Sequence, residues 1–211
     1  MEGYLTVLSS SAGEYEEKRS RFIANLFPVA CEEEAMSLVK ELKSKYWDAR
    51  HNVYAYVLST GECRFSDDGE PHGTAGKPIL DVINGKKLKN VCIVVTRYFG
   101  GVLLGTGGLV RAYSEAAKQA VINATIAEMG ILGLFSVTCD YVQYNRLLPL
   151  LQGIGATVTD TVFEAEVKVS FSLDKTKKDE LGDKLTDAFF GKLSAKAEGE
   201  TISPVKIINN L

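Results

Sequence analysis

Arg97 and Arg111 bracket a stretch, TRYFGGVLLGTGGLVRAYSEAA at residues 96–117, in which Gly100, Gly101, Gly105, Gly107 and Gly108 fall within nine positions. Inside a helix or strand each glycine costs about 0.5–1 kcal/mol relative to alanine, so stabilising either element does not explain them. They permit left-handed backbone and let main-chain N–H groups approach a ligand closely. A strand, a glycine-rich turn and a helix start together make an anion site by geometry. The stretch fits neither the G-x-x-x-x-G-K-[ST] phosphate loop nor the G-x-G-x-x-G dinucleotide turn. Arg111 falls near the positive end of the helix dipole, where a cation is mildly unfavourable. An external phosphate would offset that, and so would an internal carboxylate. Arg97, Arg111, Thr106 and the glycine amides are therefore the expected phosphate ligands. The competing expectation is that the acidic residues of "DDGE" close onto the two arginines.

That acidic stretch supplies Asp67, Asp68, Gly69, Glu70 and His72, and His51 and Asn52 precede it at a strand start. It lacks the spacing of a calcium loop and the H-E-x-x-H of a zinc protease, so turn formation explains it and no metal or cofactor is expected. His51, His72, Ser114 and Cys63 could be assembled into a nucleophilic site on paper, but no G-x-S-x-G elbow supports one. His51 reads equally well as a strand-end residue bonded to backbone. If the chain is an enzyme, Asp67, Asp68 or His72 would be its acid or base. Basic residues form two groups, Lys77, Lys86, Lys87 and Lys89, and Lys18, Arg19 and Arg21, which flank the glycine turn in sequence. Tyr98 and Phe99 offer rings that could stack on bases.

These residues need elements to hold them. "RFIANLFPV" and "NVYAYVLS" read as strands around an amphipathic helix with Ala35, Leu38, Val39, Leu42 and Tyr46 on one face. Residues 66–78 must be a loop, "PILDVIN" a short helix, and the nearly continuous apolar "NVCIVVTRYF" a strand covered on both faces. Thr106 is a plausible N-cap for the helix that follows. Its alanines at 112, 116, 117, 120 and 124 would let it approach its neighbours closely, which makes it central. Beyond about residue 130 the pattern restarts as β-α-β-β-α-β, the order of a ferredoxin-like domain. Pro149 interrupts the first helix of that half, Thr176 is expected to cap its second, and an edge-type proline, Pro204, falls in its last strand.

The 211-residue chain is 45% hydrophobic and 24% charged, which supports folded cores. Its net charge of −3 provides no global basic field, so any nucleic-acid contact must come from a local patch. No apolar run approaches the roughly 20 residues of a membrane span, and the first residues do not read as a signal peptide. Cys31, Cys63, Cys92 and Cys139 form no C-x-x-C pair. Four reduced thiols in a cytoplasmic protein are expected.

Four stretches, "KRSRFIA" (18–24), "HNVYAY" (51–56), "DDGEPHGTAGKPIL" (67–80) and "TRYFGGVLLGTGGLVRAYSEAA" (96–117), resemble the Impact family, in its bacterial two-domain branch of YigZ-like and YvyE-like proteins. The resemblance implies an α+β chain of two domains. Residues 1–130 would be an Impact-type α/β sandwich, a fold found in a ribosomal protein domain, in elongation factor G and in the GHMP kinases. Residues 131–211 would be ferredoxin-like. Eukaryotic relatives regulate translation initiation through an additional N-terminal domain, so their partner is not transferred. For the bacterial branch the resemblance implies association with RNA or the ribosome and carries over no catalytic residue. The leading expectation is a cytoplasmic, non-enzymatic protein bound to RNA or a ribosomal surface, with no membrane partner. An enzyme acting on a small phosphorylated or anionic substrate and a purely structural scaffold are the alternatives.

Overall fold

The computed structural model describes residues 3–208. The chain is an α+β protein that divides into two compact units, one of residues 4–128 with 206–208, the other of residue 3 with 129–205.

In the first unit, five strands form an antiparallel sheet in the order β2-β3-β6-β4-β5: β2 (Ser11–Glu17), β3 (Ser20–Pro28), β4 (His51–Val57), β5 (Cys63–Ser66) and β6 (Val91–Tyr98). A further strand, β1 (Tyr4–Val7), leads into Leu8, whose N–H donates to the Thr125 carbonyl at 3.0 Å. β2 and β3 are joined by Lys18 and Arg19 alone, both left-handed at φ 47° and 65°. That pair of positive angles gives a hairpin turn whose twist matches the strands it joins. The central strand β6 is buried along nearly its whole length. Its odd-numbered residues Val91, Ile93 and Val95 join Phe22, Leu26, Val53, Ala55, Ile79 and Ile83 in one core, closed by α2 (Gly76–Gly85) and α3 (Gly105–Ile122). Its even-numbered residues Cys92 and Val94 pack on the opposite face with Val39 and Leu42 of α1 (Glu32–Lys45).

The expectation that α3 is central holds for a visible reason. Ala112, Ala116, Ala117 and Ala120 are fully buried, and a Cβ on Gly13 of β2 would sit 2.4 Å from the Ala120 nitrogen. Helix and strand therefore approach at backbone distance.

In the second unit, the strands run β10-β7-β9-β8: β7 (Ile126–Cys139), β8 (Thr157–Phe163), β9 (Val167–Asp174) and β10 (Lys196–Ile208). With α4 (Tyr141–Gly153) and α5 (Lys178–Phe189) the order is the ferredoxin-like β-α-β-β-α-β. Val167, Val169, Phe171 and Leu173 of β9 face Leu147, Leu151, Leu181, Leu185 and Phe189 of the helices. Two local expectations are corrected. Pro149 does not interrupt α4, which starts from a full capping box between Asp140 and Gln143 and runs through the proline. Thr176 does not cap α5. Asp174 instead accepts from the Thr176 N–H and starts a 3-10 turn before the helix.

Candidate functional site: a cleft between a buried charge cluster and a bare helix start

The two strand periodicities of the first unit converge at one end of the sheet. Continuing the odd positions of β6 one step beyond Val95 places Arg97 on the α2/α3 face, and the same alternation in β4 places His51 beside Val53 and Ala55. His51 and Arg97 are direct cross-strand partners. Tyr113 reaches the same point from the inward stripe of α3, where its ring meets Phe22 edge-on at 5.0 Å.

Glu70, delivered by the loop after β5, fills the space among them. Its Oε1 accepts from Arg97 Nη1 at 2.6 Å and from Tyr113 Oη at 2.8 Å, and His51 Nε2 lies 3.8 Å away. The Glu70 and Arg97 side chains are only 4% and 6% exposed. Arg97 also lies over the rings of Phe22 and Phe99, at 5.5 and 5.7 Å. Burial, then the charge and hydrogen bond of Glu70, push the Tyr113 phenol well above the ordinary tyrosine range, so it stays a donor. The His51 Nδ1 contacts the Asp68 carbonyl at 2.7 Å. A carbonyl only accepts, so Nδ1 carries a proton, and the neutral tautomer compatible with that contact is the one with its lone pair on Nε2.

The rest of the acidic loop is built to hold Glu70 in place. Asp67 accepts from the N–H groups of Gly73, Ala75 and Gly76 at 2.8, 3.1 and 2.8 Å, which ties the loop to the start of α2. Asp68, left-handed at φ 45°, accepts from the Asn52 N–H at 2.7 Å and from Lys43 at 2.6 Å. Asn52 in turn accepts from the buried Thr96 hydroxyl at 2.7 Å, and Gly69 turns at φ 86° against the His51 ring. The His72 side chain is almost fully exposed, 3.8 Å from Asp67. Both aspartates are held on backbone amides, and His72 does not reach the cluster. Among the described residues no group of three or more His, Cys, Asp or Glu could hold a metal.

Above the cluster opens a cleft of about 360 Å³ lined by Arg50, His51, Gly69, Glu70, Pro71, Arg97, Phe99, Leu103, Leu104, Gly105, Thr106 and Leu109. The glycine stretch makes its far wall. Gly100 abuts the hairpin turn: a Cβ there would fall 2.1 Å from the Arg19 carbonyl carbon, and its N–H donates to Ser20 Oγ at 3.1 Å. α3 begins after Leu104, and no side chain caps it, so Thr106 is not the N-cap. Leu104 is right-handed at φ −88° and Gly105 left-handed at φ 69°. That alternation turns successive N–H groups to one side, and the first amides of a helix have no internal partner. Gly107 and Gly108 follow in the first turn but do not line the cleft.

Several sequence-based assignments change in this geometry. Arg97 is not an open phosphate ligand, because Glu70 occupies its Nη1. The acidic loop does close onto it, but it leaves Arg111 alone. Arg111 is exposed, and among the described residues neither it nor Lys18, Arg19 or Arg50 lies within 4 Å of a carboxylate. Tyr98 falls on the α1 side of β6 and donates to Asp48 at 2.9 Å, so it does not face the cleft. Lys77 pairs with Asp81. Lys86, Lys87 and Lys89 precede β6, whereas the glycine turn follows it, which puts them a strand length of about 25 Å apart. Arg50 and Tyr113 are additions. Arg50 lies 5.8 Å over Phe99 at the mouth of the cleft. The stripe Leu109, Ala112, Tyr113, Ala116 carried the signal for Tyr113.

Residues 18–121 match the family described as the Impact N-terminal domain, and residues 137–192 match a domain of unknown function, DUF1949. The chain is 31% identical to the IMPACT family member YvyE of Bacillus subtilis, over 100% of this chain and 98% of that protein. It is 35% identical to the IMPACT family member YigZ of Escherichia coli, over 93% and 98%. A crystal structure of a hypothetical protein superposes with a TM-score of 0.61 at 35% identity, covering 93% of this chain and 98% of that one.

Proposed function

The chain belongs to the IMPACT family, and from that premise and the geometry of the cleft we propose that it is an RNA-binding protein acting on translation in the cytoplasm. The observation that carries the reading is the start of α3, which no side chain caps and which lines the cleft. Leu104, Gly105 and Thr106, the first residues of a helix whose leading amides lack internal acceptors, line the cleft with Arg50, and the hairpin turn that carries Lys18 and Arg19 abuts Gly100; among the described residues none of these three cations lies within 4 Å of a carboxylate. A phosphate supplies the acceptor those amides lack and the charge those side chains attract. Glu70 cancels Arg97 within the protein, so Arg97 acts as the floor of the site and the exposed cations provide its field.

Thr106→Asp tests this reading without damaging the fold. An acid in the first turn favours a helix by about 0.3–1 kcal/mol, so the melting temperature should hold or rise. A carboxylate roughly 6 Å from a bound phosphate repels it by about 0.7–3 kcal/mol between the aqueous and protein-surface dielectric limits, a loss of roughly 3- to 100-fold. Fluorescence anisotropy with a labelled ribo-oligonucleotide, repeated across salt concentrations, measures both affinity and the number of phosphates engaged. Unchanged binding in a normally melting Thr106→Asp protein would reject the site. A second reading, an enzyme on a small phosphorylated substrate, is favoured by one observation: His51 Nε2 and Glu70 lie together in a cleft of small-molecule size.

A further inference from the structure

The cleft holds groups that an anion alone would not satisfy. All three contacts to Glu70 fall on Oε1, so Oε2 has no hydrogen-bond donor among the described residues. The Nδ1 contact selects, for the neutral His51 ring, the tautomer with its lone pair on Nε2. Two acceptors thus lie side by side on one wall, with Nε2 and Oε1 3.8 Å apart. The start of α3, which also lines the cleft, brings the uncapped first amides of a helix and the Thr106 hydroxyl. Arg97, itself 95% buried, has an Nε with no partner at the floor. Phosphate pressed against Glu70 would be repelled, while a purely neutral ligand would leave the amides and Arg50 unanswered. The occupant must therefore be bifunctional, with adjacent hydroxyl donors at one end and a phosphate at the other.

Resting on the RNA-binding reading above, we propose that the cleft takes the 3′-terminal ribonucleotide of a single strand. Its vicinal 2′- and 3′-hydroxyls donate to Glu70 and His51 Nε2, and its 5′-phosphate lies on the amides of Gly105 and Thr106 beside Arg50. Shape agrees with the chemistry. The buried Glu70 and Arg97 form the floor against which the terminal diol would lie. Phe99, Leu103, Leu104 and Leu109 give the apolar wall that a base needs, and Leu103 is 82% exposed on the approach. Internal nucleotides have only one free hydroxyl and DNA ends have only the 3′-hydroxyl, so the pair of acceptors selects both for ribose and for the end of the chain.

The test varies the ligand and leaves the protein intact. A 5′-fluorescein ten-nucleotide RNA is titrated by anisotropy in four forms: with its natural 3′-diol, with a 2′,3′-dideoxy terminal residue, with a 3′-phosphate, and after periodate oxidation of the diol. The natural end should bind about ten- to a hundredfold tighter than the other three, because each leaves a buried acceptor unpaired or opposed by charge. Equal affinity for all four forms, with the usual salt dependence, would overturn the end-recognition proposal and leave RNA binding standing. Absence of binding by any form at low salt would overturn both. Free AMP competing as well as the intact strand would overturn the assignment to a strand end and identify a nucleotide site.

Discussion

Glu70→Gln separates the structural part of the cleft from its binding part. The substitution keeps the shape of the side chain and an oxygen for the Tyr113 hydroxyl, but it strands a guanidinium that is 6% exposed and held at 2.6 Å by its counter-ion. Breaking a buried pair in this way costs about 3–5 kcal/mol, because the surviving charge has already lost its water. At about 2–4 °C per kcal/mol for a chain of this length, the melting temperature should fall by roughly 6–20 °C. Trp47, the only tryptophan, is exposed on the first unit and reports urea unfolding there. The stranded Arg97 should then welcome an external anion. Phosphate at ten times its dissociation constant should return about 1.4 kcal/mol to the variant, beyond any effect on the parent. Glu70→Gln combined with Arg97→Met should be more stable than Glu70→Gln alone, since it removes the uncompensated charge. A single variant that melts within 2 °C or so of the parent, or a double variant no better than the single one, would refute the buried pair and the account of Arg97 as floor.

Two further stability predictions follow from the same region. A Cβ on Gly107 meets nothing within 4 Å, so Gly107→Ala should stabilise α3 by about 0.5–1 kcal/mol, whereas Gly100→Ala drives into the Arg19 backbone and should cost about 1–3 kcal/mol; urea midpoints of the two variants read the contrast, and equal effects would refute it. The raised Tyr113 makes the native state hold a proton that the unfolded chain releases near pH 10, so its stabilising effect is complete below that pH and lost above it at about 1.4 kcal/mol per pH unit. Tyr56, pushed up to about 12 mainly by burial, adds a loss of the same sign between about pH 10 and pH 12. Urea midpoints from pH 9 to 11 should fall less steeply in Tyr113→Phe, and an unchanged slope would show that Tyr113 is not the group responsible.

Strand parity was the most informative signal in the sequence for both fold and site. The alternation Val91, Ile93, Val95 continues to Arg97, and Val53, Ala55 extend back to His51, so the face that buries the valines also carries the charged residues. The alanine stripe of α3 likewise marked a helix lying against the sheet. Side-chain identities alone did not show which carboxylate would meet Arg97. Asp67, Asp68 and Glu70 are equivalent in composition, and backbone angles separate them. Asp68 and Gly69, both left-handed, turn Glu70 inward while Asp67 and Asp68 stay on backbone amides. The short strands β1 and β5 and the polar β2 are not legible in the sequence, because four residues, or a run of alternating acids, carry little hydrophobic pattern.

The same distinction governs where the positive charge acts. Lys86, Lys87 and Lys89 stand out in the sequence as a run, yet they lie at the entry of β6, and the cleft lies at its exit. Lys18, Arg19 and Arg50 come from a hairpin turn and the approach to a strand, separated by up to 32 positions (50 − 18), and no local window shows them together. The antiparallel register gathers them: Arg21 opposite Tyr98 places the β2–β3 turn beside the glycine stretch, and His51 opposite Arg97 places Arg50 there as well. A chain with net charge −3 can in this way carry a basic end without a basic segment. Steering toward the cleft should therefore weaken with salt as a local patch of a few cations would, and charge reversal at Lys86, Lys87 and Lys89 should leave it unchanged.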